Sequence, residues 1–240
     1  MPKNKFDTIY HDLKQKIEIG EYPFQTALPS EAVLTDVYQC SRATLRRALT
    51  RLIERGYIQS QQGKRVRIIY QPATQNEFTI GGIESFREAA ARNNFTATTK
   101  VIRFAAEFVN ESLAAQTGFP VGSEIYEVRR VRYLEGKPLI LDINVFRRDI
   151  VPDLTAEIAA ESIYDYLENE LGMTIVTSKR RITVEQANDD DLLWLELDGY
   201  NCLAVVSGRT YNSDGIQFEY TQSRHHPDYF CFEDTAVRKR

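Results

Sequence analysis

The stretch Ser41-Arg-Ala-Thr-Leu-Arg-Arg-Ala-Leu-Thr-Arg-Leu-Ile-Glu-Arg-Gly56 runs straight into Tyr57-Ile-Gln-Ser-Gln61, Gln62-Gly63-Lys64 and Arg65-Val-Arg-Ile-Ile-Tyr70. Its hydrophobic period changes midway. Leu45, Ala48, Leu49, Leu52 and Ile53 recur at helical spacing, Ser41 is a side-chain N-cap, and Gly56 is a stop. Beyond Gly56 the period drops to two on either side of Gln62-Gly-Lys64, the pattern of a hairpin. Upstream, Phe6, Ile9, Tyr10, Leu13 and Ile17 mark a helix over 5–19 that ends at Gly20. Ser30 caps another, with Val33, Leu34 and Val37 expected to face inward. Three helices followed by a hairpin form the pattern of a winged helix-turn-helix domain over residues 1–70.

Charge separates this segment from the rest. The chain has 240 residues with 30 Lys/Arg against 34 Asp/Glu, a net charge of −4 that by itself argues against a nucleic-acid binder. Residues 1–70, however, hold 12 basic and 7 acidic side chains, which leaves 18 and 27 for the remainder. Arg42, Arg46, Arg47, Arg51, Arg55, Lys64, Arg65 and Arg67 stand against Glu54 alone within 41–67. A basic block on a small unit, followed by an acidic remainder, is expected where one module meets phosphate. With the apolar stripe turned inward, Arg42, Thr44, Arg46 and Arg47 are left near the outer surface at the helix start. There a recognition helix reads base edges, and its positive dipole end favours phosphate. Gly63 and Lys64 mark the hairpin tip, from which a wing approaches DNA.

The polar, Pro-containing segment 71–77 is expected to be a linker. From residue 78 to 240, strands and helices intermix. Helices are expected at 84–92, 110–117, 153–171 (with a break near Glu161) and 189–197. Strands are expected at 98–108, 123–134, 138–147, 174–186, 202–212 and 216–225. Leu134-Glu-Gly-Lys137 and Asn212-Ser-Asp-Gly215 are turn sequences joining two of the pairs. This predicts an α+β domain on a mainly antiparallel sheet.

Other classes are excluded by composition. With 12 Phe, 13 Tyr and 1 Trp, the chain has too much aromatic surface for a disordered tail. No apolar run approaches the roughly 20 residues of a membrane span, and the first residues lack the apolar core of a secretory signal. Cys40, Cys202 and Cys231 are odd in number and far apart, so they are expected to be reduced thiols in a cytoplasmic protein. His11, His225 and His226 show no metal-ligand spacing with them, and Gly81-Gly82 lacks the rest of a dinucleotide fingerprint. No metal or cofactor is expected. Asp189-Asp-Asp191 reads as a capped helix start, and Trp194, with Leu193 and Leu197, as core.

Leu28-Pro-Ser-Glu31, Ser41-Arg-Ala-Thr-Leu-Arg-Arg-Ala48, Gly56-Tyr-Ile58 and Gln62-Gly63 together resemble the DNA-binding domain of the GntR family of bacterial regulators. The resemblance implies operator contacts from Arg42, Thr44 and Arg46, with Gly63 at the wing tip. Ala32 departs from the polar residue or Arg that members often carry after Pro-Ser-Glu, which bears on any DNA contact from that position. Arg130-Val-Arg-Tyr133, Gly136-Lys-Pro-Leu139, Ser162-Ile-Tyr164 and Asp214-Gly-Ile-Gln-Phe-Glu219 resemble the effector-binding domain of the HutC-type branch, whose fold is similar to chorismate lyase. The tail Glu219–Phe230 with Asp234-Thr-Ala236 is more particularly similar to members governing trehalose use. This implies a homodimeric repressor released from operator DNA by a phosphorylated sugar, with trehalose 6-phosphate foremost and an amino-sugar phosphate or organic acid as rivals.

The residues are compatible with such a ligand. Arg130 and Arg132, two apart in a strand, point to one face and together suit phosphate, although an ion pair of either with Glu127 or Glu135 is the plainer alternative. Gly81 to Arg87 forms a glycine turn opening a helix, so amides around Ser85, Phe86 and Arg87 could receive phosphate oxygens. Ser162 and Tyr164 add hydroxyls, with an N-cap and simple core packing as their respective alternatives. The resemblance assigns Glu219 a sugar hydroxyl and places Asp142 where relatives carry an acid facing the ligand. An enzyme acting on a small anion is the remote alternative: residues 78–240 offer no convincing nucleophile–base or acid–base pair.

Overall fold

The structure, a computed structural model, describes residues 5–60, 65–71, 78–80 and 82–232. Gly63, Lys64, Gly81, most of the expected linker (72–77) and the end of the chain (233–240) therefore lie outside the described residues. The chain divides into two compact units, one within the first 71 residues and one over 78–232.

In the first unit, α1 (Lys5–Glu18), α2 (Glu31–Val37) and α3 (Arg42–Glu54) enclose a core of Ile9, Leu13, Leu34, Leu45, Ala48 and Leu52. The helical stripe of α3 is buried as its spacing predicts, and Gly56 follows in the left-handed region at φ 73°. β1 (Ile58–Gln59) and β2 (Arg67–Ile68) pair antiparallel. Ala27 bridges to Arg67, so the incoming loop adds a third line to this small sheet.

The expectation for α2 is corrected. Leu34 is buried, but Val33 and Val37 are 51% and 62% exposed. A seven-residue helix against α3 has one position aimed at the core. Successive residues turn by about 100°, which leaves both valines on its flank.

The second unit is built on a six-stranded antiparallel sheet in the order β4-β5-β6-β9-β8-β7. These strands are β4 (Ala97–Phe108), β5 (Glu124–Leu134), β6 (Lys137–Arg147), β7 (Ile175–Gln186), β8 (Cys202–Asn212) and β9 (Gln217–His225). Each lies within a residue or so of its expected span. The β5–β6 turn has Glu135 and Gly136 both at positive φ (50° and 78°), the backbone of a type I′ hairpin. One sheet face packs Val131, Leu141, Leu203 and Val205 against Leu195 and Leu197. On the other, α4 (Phe86–Arg92) packs at one end, while α6 (Ala156–Ala160) and α7 (Ile163–Asp165) pack near Tyr126, Val128 and Phe146. Asn110 caps α5 (Glu111–Thr117). A short parallel pair, β3 (Phe78–Ile80) with β10 (Phe230–Phe232), had no sequence signal.

Two further expectations change. The helix expected over 153–171 has its break at Glu161 as expected, but it starts only at Ala156 and its second part is itself divided. Glu161 leaves helical geometry (φ −90°, ψ −108°), Ser162 restarts the chain as the N-cap of α7, and Tyr166–Glu170 is a π-helical turn. In α8 (Asp189–Trp194), Leu193 is exposed and Asp191 is fully buried. Arg224 donates to both Asp191 oxygens, at 2.7 and 2.8 Å, which turns the carboxylate rather than the leucines toward the core. Trp194 is partly buried against the Leu195–Leu203 cluster, and Leu197 is buried.

Candidate functional site

The start of α3 is capped by Ser41, whose Oγ accepts from the Thr44 amide at 3.2 Å and lies 2.9 Å from the Thr44 hydroxyl. Arg42 and Arg46, one turn apart, are exposed on the same side of the helix. Arg46 Nε donates to both oxygens of Glu31, at 3.2 and 3.1 Å, tying α3 to the first turn of α2. Arg47 is drawn the other way: its guanidinium lies 4.2 Å from the centre of the Phe6 ring on α1. Arg42 and Arg46 thus form one basic edge, while Thr44 lies on another side of the helix, bonded to Ser41.

In the second unit a cavity of about 470 Å³ lies on one face of the sheet, within the size range of small-molecule sites. Alternate residues of a strand share a face, so the register spells out the floor in cross-strand rows. One row runs Arg132, Ile140, His225, Ala204, and the next Arg130, Asp142, Ser223, Val206. A third runs Val128, Asn144, Thr221, Gly208, Arg180, and a fourth Tyr126, Phe146, Glu219, Thr210, Ser178. The walls come from Glu84–Arg87 at the start of α4 and from Ala160–Tyr164.

All nine residues singled out from the sequence for a ligand line this one cavity: Ser85, Phe86, Arg87, Arg130, Arg132, Asp142, Ser162, Tyr164 and Glu219. Arg130 and Arg132 are each only 5% exposed. Neither pairs with Glu127 or Glu135, since Glu127 accepts from Arg129 and Arg103 and Glu135 from the Thr96 amide. Arg132 donates to Asp142 at 2.7 Å and to Thr99 at 2.7 Å, with its guanidinium 4.8 Å from the Phe86 ring centre. Arg130 donates to Asn144 Oδ1 at 2.8 Å and to the Ala159 carbonyl at 3.2 Å, while its buried Nε has no hydrogen-bond partner. Asn144 in turn donates to Glu219, which also accepts from the Tyr164 hydroxyl at 2.8 Å. Ser162 Oγ is occupied as an N-cap, accepting from the Asp165 amide at 3.2 Å.

Of the expected amide cradle at residues 81–87, Gly81 lies outside the described residues and one donor is already taken. Ser85 and Glu88 form a capping box in which the Ser85 amide donates to the Glu88 carboxylate at 2.7 Å, so that donor is already used. Arg87 is at the rim, two-thirds exposed, and pairs with Glu161.

The two buried guanidinium groups in the floor repel each other. Burial, with the nearby Arg132 cation, pushes Arg130 down to about 9 despite the carboxylates around it. Burial would raise Asp142, but Arg132, Arg130 and the Ser223 hydroxyl hold its carboxyl below the usual range. Burial wins at Glu219, which is raised in spite of bonds from Tyr164, Thr210 and Asn144. The two guanidinium groups thus share the floor with Asp142, a carboxyl held below its usual range, and Glu219, one raised above it, and an anion beside the pair would offset their mutual repulsion.

Sequence reasoning missed Asn144, Ser178, Arg180, Thr210, Thr221, Ser223 and His225, all in the cavity lining. A signal was present in β6 and β9. Asp142 and Asn144 interrupt an apolar strand at period two, and Glu219, Thr221, Ser223 and His225 repeat the same spacing.

Comparison with known proteins places the whole chain. Residues 5–68 match the bacterial regulatory proteins of the gntR family, and residues 92–231 match the UTRA domain. The HTH-type transcriptional regulator TreR of Bacillus subtilis (strain 168) is 40% identical over 238 residues, spanning 99% of both chains. The chain belongs to the gntR family of bacterial regulatory proteins. Within that family it is similar to the solved effector-binding domain of the B. subtilis trehalose repressor, with 38% identity and a TM-score of 0.54 over 60% of this chain and 99% of that one. The B. subtilis regulator YydK, at 22% identity, shares the fold with a TM-score of 0.80 over 98% of this chain and 100% of that one. The gntR reading of Leu28–Gly63 and the effector-domain reading of Arg130–Glu219 thus hold together in one chain, as a helix-turn-helix head with an antiparallel-sheet UTRA domain.

Proposed function

We propose that this protein is a cytoplasmic, homodimeric repressor of a sugar-utilisation operon, released from its operator by trehalose 6-phosphate. The observation that carries the effector reading is the buried, mutually repelling Arg130–Arg132 pair in the cavity floor, with Arg130 Nε left without a partner. A phosphate accepts charge-assisted bonds from both guanidinium groups and offsets the cost of burying them. The trehalose choice rests on the name of the solved domain at 38% identity. DNA recognition is assigned to Arg42, Thr44, Arg46 and Arg47, with Gly63 and Lys64 as wing contacts. A two-fold operator then calls for two copies of the chain. The cavity binds rather than transforms its ligand, with Ser85, Phe86, Arg87, Ser162 and Tyr164 around the phosphate and Asp142 and Glu219 toward the sugar.

Thermal unfolding with trehalose 6-phosphate, trehalose, glucose 6-phosphate and glucosamine 6-phosphate tests this. A ligand at 100 times its Kd stabilises by about 2.7 kcal/mol, enough to move Tm by several degrees. Trehalose 6-phosphate is expected to give the largest shift and trehalose none. A larger shift with glucosamine 6-phosphate, or equal shifts with trehalose and its phosphate, overturns the assignment.

A further inference from the structure

Arg46 and Glu31 make an ion pair that stability does not explain. The two side chains are 66% and 37% exposed, and a pair so open to water adds little to a fold. The pair also sets a carboxylate against the basic edge of Arg42 and Arg46, where an acid works against any approach to phosphate. What it contributes has to be sought in what it does to Arg46.

Its geometry differs from that of other arginine pairs in this chain. Arg92 with Glu84, and Arg224 with Asp191, form two-point forks in which Nε donates to one carboxylate oxygen and Nη2 to the other. In Arg46, Nε alone donates to both Glu31 oxygens, at 3.2 and 3.1 Å, and neither Nη1 nor Nη2 bonds to a described residue. The carboxylate holds the guanidinium by its inner edge and leaves the Nη1–Nη2 end open. These two groups carry the N–H donors that meet O6 and N7 of a single guanine end-on. An arginine on a helix surface otherwise samples many rotamers, and meets phosphate as readily as base. Glu31 can hold it because its own backbone is fixed: Ser30 caps α2 by accepting from the Val33 amide, and an acid in this first turn suits the helix dipole.

We propose that Glu31 is a specificity-determining positioning residue, which grips Arg46 by Nε so that its Nη1–Nη2 end reads one guanine rather than the DNA backbone. This rests on the assignment of α3 as the reading helix and names what orients one of its arginines.

The test is the anisotropy of two labelled duplexes with the full chain, one selected on this protein and one of scrambled sequence and equal length. Wild type, Glu31→Ala, Arg46→Ala and the double variant are compared at matched salt. Glu31→Ala is expected to bind the scrambled duplex at least as tightly as wild type does, which also shows that it is folded. The ratio of selected to scrambled affinity is expected to fall at least fivefold. With Arg46 already replaced, removing Glu31 is expected to change that ratio less than twofold. A smaller fall in Glu31→Ala overturns the proposal, as does an equal weakening of both duplexes, the mark of a purely structural role. A comparable fall in the absence of Arg46 also overturns it, because Glu31 would then act by its charge alone. If the wild-type chain does not tell the two duplexes apart, the reading of α3 falls first and the role of Glu31 with it.

Discussion

Arg130 sits in the fold at a cost, because a buried cation with an unbonded Nε is less well solvated than in water. Arg130→Met removes that cation but leaves Asn144 Oδ1 and the Ala159 carbonyl without their donor. It is expected to lower the ligand-free stability by about 1–3 kcal/mol, while abolishing the shift produced by a sugar phosphate. Thermal unfolding with and without ligand reads both quantities, and a full ligand shift in the variant would contradict the assignment. His225 makes a second residue-scale case. It is buried against the same floor, neither ring nitrogen has a hydrogen-bond partner, and burial pushes it from 6.5 to about 4 despite nearby Asp142. Between pH 6.5 and 4 the folded state then binds fewer protons than the unfolded one. The stability that the neutral ring confers is complete above pH 6.5 and is lost as the pH falls through about 4. His225→Gln is expected to flatten that part of the stability profile, measured by urea unfolding from pH 7 to 4. An unchanged slope would mean that the ring protonates freely in the fold.

At the scale of elements, the sequence was read well where one period ran long and poorly where a polar contact overrode it. β5 and β6, and β8 and β9, are long, apolar-rich strands joined in pairs by a readable turn, and their spans were legible. The parallel pairing of β3 with β10 joins three-residue segments about 150 positions apart, and no local pattern encodes such a partner. In α8 the apolar pattern favoured Leu193, yet Arg224 holds Asp191 inward by two short bonds and also takes Glu185 at 2.8 Å. Asp191 also closes a capping box with Asn188. Asp191→Ala leaves the buried Arg224 cation with Glu185 as its remaining carboxylate partner and is expected to destabilise the second unit by about 3 kcal/mol, the lower end for a broken buried pair. Urea unfolding of the variant checks this, and a loss below about 1 kcal/mol, the level of an exposed pair, would show that the bridge is solvated. The cavity divides along the same line. Arg130, Arg132 and Glu219 were recognisable through short motifs and Asp142 through the resemblance, whereas Ser178, Thr210 and Thr221 joined the lining only when the register set them in adjacent rows.

Across the whole molecule, the charge asymmetry gives the two units different tasks. The basic head offers Arg42 and Arg46 on the outer edge of α3, while the acidic remainder encloses a cavity with a buried guanidinium pair in its floor. The proposed function requires that anion binding in the cavity and DNA binding by the head be coupled. A ligand that weakens operator affinity must lose affinity by the same factor when the operator is bound. Coupling of about 1–3 kcal/mol, or roughly 5–150-fold, is the usual range for such a switch. The most direct measurement is the anisotropy of a labelled duplex, recovered from a random pool by selection on this protein, as effector is added. Trehalose 6-phosphate is expected to release the duplex at concentrations where trehalose and glucose 6-phosphate leave it bound. A duplex held equally tightly at saturating trehalose 6-phosphate would contradict the account.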